Sequence, residues 1–372
     1  MPVLAPCQWT GRGLAAKEIT YKIDKDKGDK YANVSLDVAR RYKAANADEY
    51  KAKDIASLLR ATSKLGTLQQ AQNLHELVRS GYLALIHADG NGVGSGVGNG
   101  ADSTDEQWAH FFHRNRVLLR RALQKAIETT CEDETGVVPL VILMLGGDDL
   151  LVVCRAAKAL PFVVALCEEL ERLQPENTGD FKLTLGVGVV IANPKVPIHR
   201  LHDVAERLAS SAKRRFRGLK ERKEPARSVV DWAVYTTTWV DDPEEVRRRD
   251  WICGTAQDRR VLSQRPLDVL GEGLNSLQGL VCSAEKLKDA PRSQLRYLVE
   301  QLPRGRHLAE LAFAELSQEA KKALQDAGVN SVWQSGDSPS TTPLLDLIEI
   351  TEIARLGRGN KTAQHEQGVV DG

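Results

Sequence analysis

The chain has 372 residues, with 51 Lys and Arg against 50 Asp and Glu, for a formal net charge of +1. That length allows two domains, each with its own core, and the charge balance excludes a globally basic nucleic-acid coat or membrane-surface protein, so any polyanion must be bound locally. No run approaches the roughly 18 apolar residues of a spanning helix and no secretory signal opens the chain, which gives the expectation of a cytoplasmic protein with no membrane partner.

In chain order, residues 14–24 suggest a strand, 33–65 one or two exposed helices, and 69–80 another helix. From Tyr82 the pattern sharpens. An apolar run over 82–87 ends at Ala88-Asp89-Gly90, and a Gly-rich loop continues to Gly100. A helix is expected over 105–130, where Trp108, Phe111, Phe112, Leu118, Leu119, Leu123 and Ile127 recur at helical spacing. Two apolar runs, 137–145 and 150–154, flank the turn Gly146-Gly147-Asp148-Asp149 as a hairpin. A helix over 157–173, a strand over 181–191, a helix from Ile198 to about Phe216 and a strand over 228–232 follow. Beyond Asp241 the segments 243–251, 293–301, 308–327 and 344–356 read as charged helices with few strand signals.

This order is β-α-β-β-α-β, the ferredoxin-like arrangement of an α+β fold. The expected organisation is an N-terminal extension (1–80), an α+β domain (81–238), a helical C-terminal domain (239–357) and a tail (358–372) whose composition suits disorder. In such a sheet the first strand lies beside the third and runs parallel to the second. Asp89 is therefore expected at the same edge as Asp148 and Asp149.

Three carboxylates there outline a site for Mg²⁺ or Mn²⁺, two ions per site, with the Gly90 carbonyl as a further ligand. Phosphoryl or nucleotidyl transfer is the chemistry such a site suits, because ion charge and positioning supply most of the stabilisation. Gly146 and Gly147 permit close approach of a ligand, although Asp and Gly are also common in ordinary hairpin turns. The loop starting Gly90-Asn91-Gly92 can offer N–H groups to a triphosphate, and its remainder reads as a linker or lid. Neither G-x-G-x-x-G nor G-K-[ST] occurs, so the Rossmann and P-loop readings fall away. Lys213 and Arg214 open a basic run reaching Arg227. Either it is a solvated helix end, or Lys213 neutralises a nucleotide's phosphates while the other cations steer anions.

The six cysteines (Cys7, Cys131, Cys154, Cys167, Cys253, Cys282) are scattered, which argues against a disulfide framework and against zinc. His110/His113 and His199/His202 lack a completing ligand set. His202-Asp203, inside an amphipathic helix, is read as coincidence.

Taken together, Asp89-Gly90-Asn91-Gly92, Gly146-Gly147-Asp148-Asp149, the strand Leu183 to Ile191 and the helix carrying Ala212-Lys213 resemble the palm (polymerase/cyclase) domain of the large subunit of type III CRISPR effectors and its standalone relatives. The resemblance covers roughly 82–233. Cys7-Gln8-Trp9-Thr10-Gly11-Arg12 also resembles the segment preceding that palm, with Thr10 where a second cysteine is common. The resemblance implies a nucleotidyltransferase that joins ATP or another nucleoside triphosphate into cyclic oligonucleotides serving as antiviral second messengers. Asp89 and Asp149 would be the principal ion ligands with Asp148 assisting, and Gly146, Gly147 and Lys213 would contact nucleotide. The absence of an HD nuclease domain and of room for a second palm favours a standalone or companion signalling enzyme. Ring closure calls for two facing palms, hence a homodimer or a palm partner. RNA or a CRISPR effector is a further partner to expect. A non-catalytic nucleotide- or RNA-binding palm and a linear template-independent polymerase are the alternatives.

Overall fold

The structure, a computed structural model, describes residues 5–11, 13–21, 28–46, 68–69, 71, 73–78, 81–93, 104–131, 136–174, 181–237, 241–255, 258–334 and 339–356. The readings placed on 47–67, on the loop from 94 to 103 and on the tail from 357 lie outside the described residues. The chain divides into two compact units, Met1–Ser63 and Lys64–Gly372.

The first unit is a hairpin of β1 (Lys17–Tyr21) and β2 (Lys30–Val34), followed by α1 (Leu36–Asn46). Alternation puts Ile19, Ala32 and Val34 on one face, where they form a small core with Cys7 and Ala39. The Cys7 thiol is pulled down to about 6, first by the Thr10 side chain that hydrogen-bonds it. Thr10, at the place where a second cysteine was considered, is thus the sulfur's neighbour.

The second unit opens with α2 (Leu74–Val78) and β3 (Leu83–Gly90), continues through α3 (Asp105–Thr130), β4 (Leu140–Gly146), β5 (Asp149–Arg155), α4 (Ala156–Arg172) and β6 (Leu185–Ala192), and closes its main sheet with α5 (Ile198–Glu221) and β7 (Val229–Tyr235). A reciprocal capping box between Thr104 and Gln107 starts α3, satisfying two otherwise orphaned backbone donors. The β3 and β6 segments read as unbroken apolar runs because both of their faces are covered, and every β6 residue is buried.

With a two-residue strand, β10 (Leu267–Asp268), at one edge, the sheet order is β10-β7-β6-β3-β5-β4. β3 is antiparallel to both β5 and β6, and β7 runs parallel to β6. The four strands β6-β3-β5-β4 have the expected ferredoxin-like order, and the fold is α+β with a central mixed sheet. On one face, Leu201, Val204, Ala205 and Leu208 of α5 bury against Leu83, Leu85, Val190 and Ala192. On the other, α4 lies against α3 and the strands.

Beyond β7 come a short helix α6 (Pro243–Val246), a π turn (Arg247–Trp251), and the two-residue strands β8 (Ile252–Cys253), β9 (Arg260–Val261) and β10 (Leu267–Asp268). Then follow α7 (Leu277–Lys286), α8 (Arg292–Gln301), α9 (Arg306–Ala314), α10 (Gln318–Asp326), β11 (Ser340–Thr341) and α11 (Leu344–Leu356). The helix expected over 308–327 is two helices, the second capped by the Ser317 side chain on the Ala320 N–H. Periodicity did not single out α7. Strands are also more numerous here than expected: β10 joins the main sheet beside β7, and β8, β9 and β11 form a small sheet of their own.

Buried charges tie this segment to the main sheet. The Arg265 guanidinium is sandwiched between the rings of Trp232 and Trp251, at 4.4 and 4.2 Å from their centroids. It also meets Asp346 at 2.9 Å and Glu349 at 2.8 Å. Fully buried Asp231 on β7 pairs with Arg247, which also donates to Ser211 at 3.0 Å.

Candidate active site

The C-terminal end of β3 and the β4–β5 turn meet at one sheet edge because β5 lies directly beside β3. Ala88 faces Leu150, Asp89 faces Gly186, and Gly146 faces Asp149 across the hairpin. Gly147 takes φ +61°, the left-handed conformation that glycine adopts without steric cost. The sixty positions separating Asp89 from the turn are thereby closed up.

Asp89 and Asp149 are neighbouring carboxyls at this edge. Burial, then the Asp89 charge and side chain, push the Asp149 carboxyl up to about 6. Burial also raises Asp148, with a further push from Asp89. Like charges sharing a partly desolvated edge disfavour ionisation of both. Asp148 leans over Gly90: a Cβ there would sit 2.5 Å from Asp148 Oδ2 and 2.5 Å from Val93 Cγ2. Any larger residue at 90 would displace the carboxylate.

The cation at this edge comes from α5. Lys213 pairs with Asp89 Oδ2, both side chains being about two-thirds buried. Two glycines of β6 let the helix approach this closely. A Cβ at Gly186 would lie 2.7 Å from Lys213 Cγ, and one at Gly188 would lie 2.1 Å from the Ala205 carbonyl oxygen. Asn91, 1% exposed, donates its N–H to the Thr184 carbonyl at 2.8 Å and its Nδ2 to Thr184 Oγ1 at 3.2 Å. Its Oδ1 is buried without a hydrogen-bond partner.

The structure therefore gathers Asp89, Gly90, Asn91, Asp148, Asp149 and Lys213, with Gly146 and Gly147 forming the turn and Gly92, at φ +67°, following Asn91. Arg214 is not among them, being paired with Glu244. Arg217, one turn beyond Lys213, donates from Nε to the Lys213 carbonyl at 3.4 Å.

Sequence reasoning weighed His202 only with His199 and Asp203 and did not join it to His87, yet the rings of His87 and His202 stack at 5.7 Å with 29° between planes. His87 lies two residues before Asp89 on the same face of β3, and burial followed by the His202 neighbour lowers its pKa. Glu206 stands 4.0 Å from His202. The signal was available, since 87 and 89 share a strand face while 202, 206 and 213 share a helical stripe.

Among the described residues, no group of three or more His, Cys, Asp and Glu side chains is arranged to hold a metal ion. The Asp89–Asp149 pair nevertheless fits a hard divalent cation, which usually takes one or two carboxylates and completes its shell with substrate phosphates and water. A cation would also offset the burial and the like-charge crowding that raise the Asp149 carboxyl to about 6. Among the described residues, no helix is long and apolar enough to cross a membrane.

Residues 82–221 match the family described as Cas10/Cmr2, second palm domain. No curated protein matches the chain. Among solved structures, Csm1 in the Csm1–Csm4 cassette complexed with pppApApA aligns at 14% identity and TM-score 0.43, covering 75% of this chain and 38% of that one. Csm1 of T. onnurineus aligns at 14% identity and TM-score 0.39, covering 77% and 39%. The diguanylate cyclase SiaD of Pseudomonas aeruginosa, complexed with its activator SiaC, aligns at 17% identity and TM-score 0.29, covering 48% and 70%. The chain thus spans less than two-fifths of the Csm1 chains it matches. Within it, residues 82–221 are the stretch that matches the Cas10/Cmr2 second palm domain.

Proposed function

We propose that this palm is a nucleotidyltransferase that joins nucleoside triphosphates, ATP foremost, into cyclic oligonucleotides acting in the cytoplasm as an antiviral signal. The observation that carries this reading is the Asp89–Asp149 carboxylate contact at a sheet edge, with Lys213 paired to it. Folding alone gains nothing from two acids brought together there. The family match of residues 82–221 supports the same chemistry.

Asp89 and Asp149, assisted by Asp148 and the Gly90 carbonyl, would hold Mg²⁺ or Mn²⁺, which when bound acidifies an attacking ribose hydroxyl and stabilises the departing pyrophosphate. The chain's own residues position the nucleotide. Gly146 and Gly147 leave open space above the turn, with nothing within 4 Å of a built Cβ, so a triphosphate can approach the backbone. Lys213 and Arg217 supply positive charge along α5. Asn91 fixes the exit from β3 through its two bonds to Thr184. Closing a ring requires two such edges to face each other, through a homodimer or another palm, and an RNA or CRISPR effector would supply activation.

The test is to incubate the pure chain with each nucleoside triphosphate and Mg²⁺ or Mn²⁺ and to identify products by mass spectrometry. Cyclic products with pyrophosphate release are expected, and the Asp148→Ala/Asp149→Ala variant should lose both. Linear products would assign a template-independent polymerase instead. Absence of pyrophosphate under every condition, or undiminished release from the double variant, would leave a binding palm without turnover.

A further inference from the structure

The carboxylate assigned to ion binding is already engaged by a cation belonging to the chain. Lys213 Nζ sits on Asp89 Oδ2, and Asp89 in turn contacts Asp149. A divalent ion on Asp89 would face this ammonium at close range in a partly desolvated edge, where repulsion is only weakly screened.

The structure also holds a second seat. Asn91 Nδ2 is committed to Thr184 Oγ1, which fixes the orientation of the amide and leaves Oδ1 as a buried acceptor with no partner. A buried acceptor left unpaired costs free energy, so it calls for a donor. The point that a Cβ of Gly186 would occupy lies 2.7 Å from Lys213 Cγ and 3.0 Å from Asn91 Oδ1. Lys213 Cγ and Asn91 Oδ1 therefore border the same Cβ-free space, and rotation of the lysine's remaining flexible bonds would carry the ammonium from one oxygen to the other. Gly186, lacking a Cβ, keeps that path clear.

We propose that Lys213 has two seats: on Asp89 it stands in for the divalent ion, and ion binding moves its ammonium to Asn91 Oδ1. This rests on the reading of Asp89 and Asp149 as ion ligands. Its consequence is that a divalent ion binds the nucleotide-free chain weakly, because it must displace a built-in counter-ion. The ion then enters best together with a triphosphate, whose negative charge offsets both cations.

Mn²⁺ alone, titrated into the full nucleotide-free chain and followed by the electron paramagnetic resonance of free Mn²⁺, tests the exchange. Lys213→Met should bind Mn²⁺ about tenfold more tightly than the parent, a change of ~1.4 kcal/mol, whereas Lys213→Arg, which retains the charge, should stay close to the parent. Asn91→Leu, deprived of the second seat, should bind more weakly. Unchanged or weaker Mn²⁺ binding by Lys213→Met overturns the proposal. If Lys213→Met does not fold, lysine ¹⁵Nζ resonances of the parent chain replace it. Mg²⁺ should shift the resonance that Lys213→Arg lacks, and no shift overturns the exchange. Turnover with unaltered Mn²⁺ affinity would sink the exchange alone. Tightened Mn²⁺ affinity without turnover would sink the transferase reading alone.

Discussion

Gly188 is the position at which a single methyl group tests how the helix carrying Lys213 is held. A Cβ there would lie 2.1 Å from the Ala205 carbonyl oxygen, 2.6 Å from the Ala209 nitrogen and 3.0 Å from Leu208 Cβ. Ordinary contacts lie at about 3.5–4.0 Å, so α5 would have to retreat by about 1.5 Å or β6 would have to bow. The two nearest atoms are helix backbone, fixed by their own hydrogen bonds, and cannot rotate aside. Overpacking of this kind costs about 1–3 kcal/mol. The upper part of that range is expected for Gly188→Ala, less the ~0.4–1 kcal/mol that replacing glycine recovers from the unfolded chain.

Urea unfolding at fixed pH reads the change as a lower midpoint at constant slope. The matched control is Gly146→Ala, where the added methyl meets nothing within 4 Å and the effect should be within about 0.5 kcal/mol. Because Lys213 rides on the same helix, the proposed nucleotidyl transfer should fall as well, by up to about a hundredfold for a displacement near 1 Å. A Gly188→Ala chain as stable as the parent would refute the close-approach argument, and full activity despite lost stability would detach α5 placement from the site.

Two other outcomes follow from the buried polar groups. Arg265→Met removes the guanidinium shared by Asp346 and Glu349, whose carboxyls burial already raises; breaking a buried pair from one side costs about 3–5 kcal/mol, and a urea midpoint unchanged from the parent would contradict it. Tyr235 is buried and donates its hydroxyl to the Asp241 carbonyl at 2.7 Å, and burial, then Asp241 and Asp242, raise its pKa. A raised folded-state value means that the folded chain keeps this proton after the unfolded chain has lost it. The contribution is therefore complete below the ordinary tyrosine pKa of about 10 and is lost as pH climbs beyond it. Tyr235→Phe should show a shallower loss of stability with pH above that point, and identical alkaline profiles would exclude the assignment.

The palm core was legible because its signals are local and strong. The long stripe from Asp105 to Thr130, the apolar runs around Gly146-Gly147-Asp148-Asp149 and the end of the first strand at Asp89 fixed a strand order, and strand order is what places Asp89 beside Asp149. The rest depended on pairing that a single sequence does not display. β10 is two residues long, too short for any period, and is a strand only because Val229 and Val230 lie beside it. Arg214 and Lys213 are adjacent cations in sequence, yet a helix turns neighbours about 100° apart, sending one to Glu244 and the other to Asp89. His87 and His202 meet only because the helix crosses the strand.

The clamp around Arg265 has a consequence for what counts as a separable piece. The family match ends at residue 221, but Asp231 and Trp232 on β7 find their partners at Arg247, Arg265 and Glu349. A chain cut after residue 240 would leave the buried carboxylate of Asp231 without Arg247 and lay bare the edge of β7 that β10 pairs with. The palm's acidic edge and its opposite flank are in this sense under one custody: β7 is held by partners lying from 16 positions further on, at Arg247, to 117 positions further on, at Glu349.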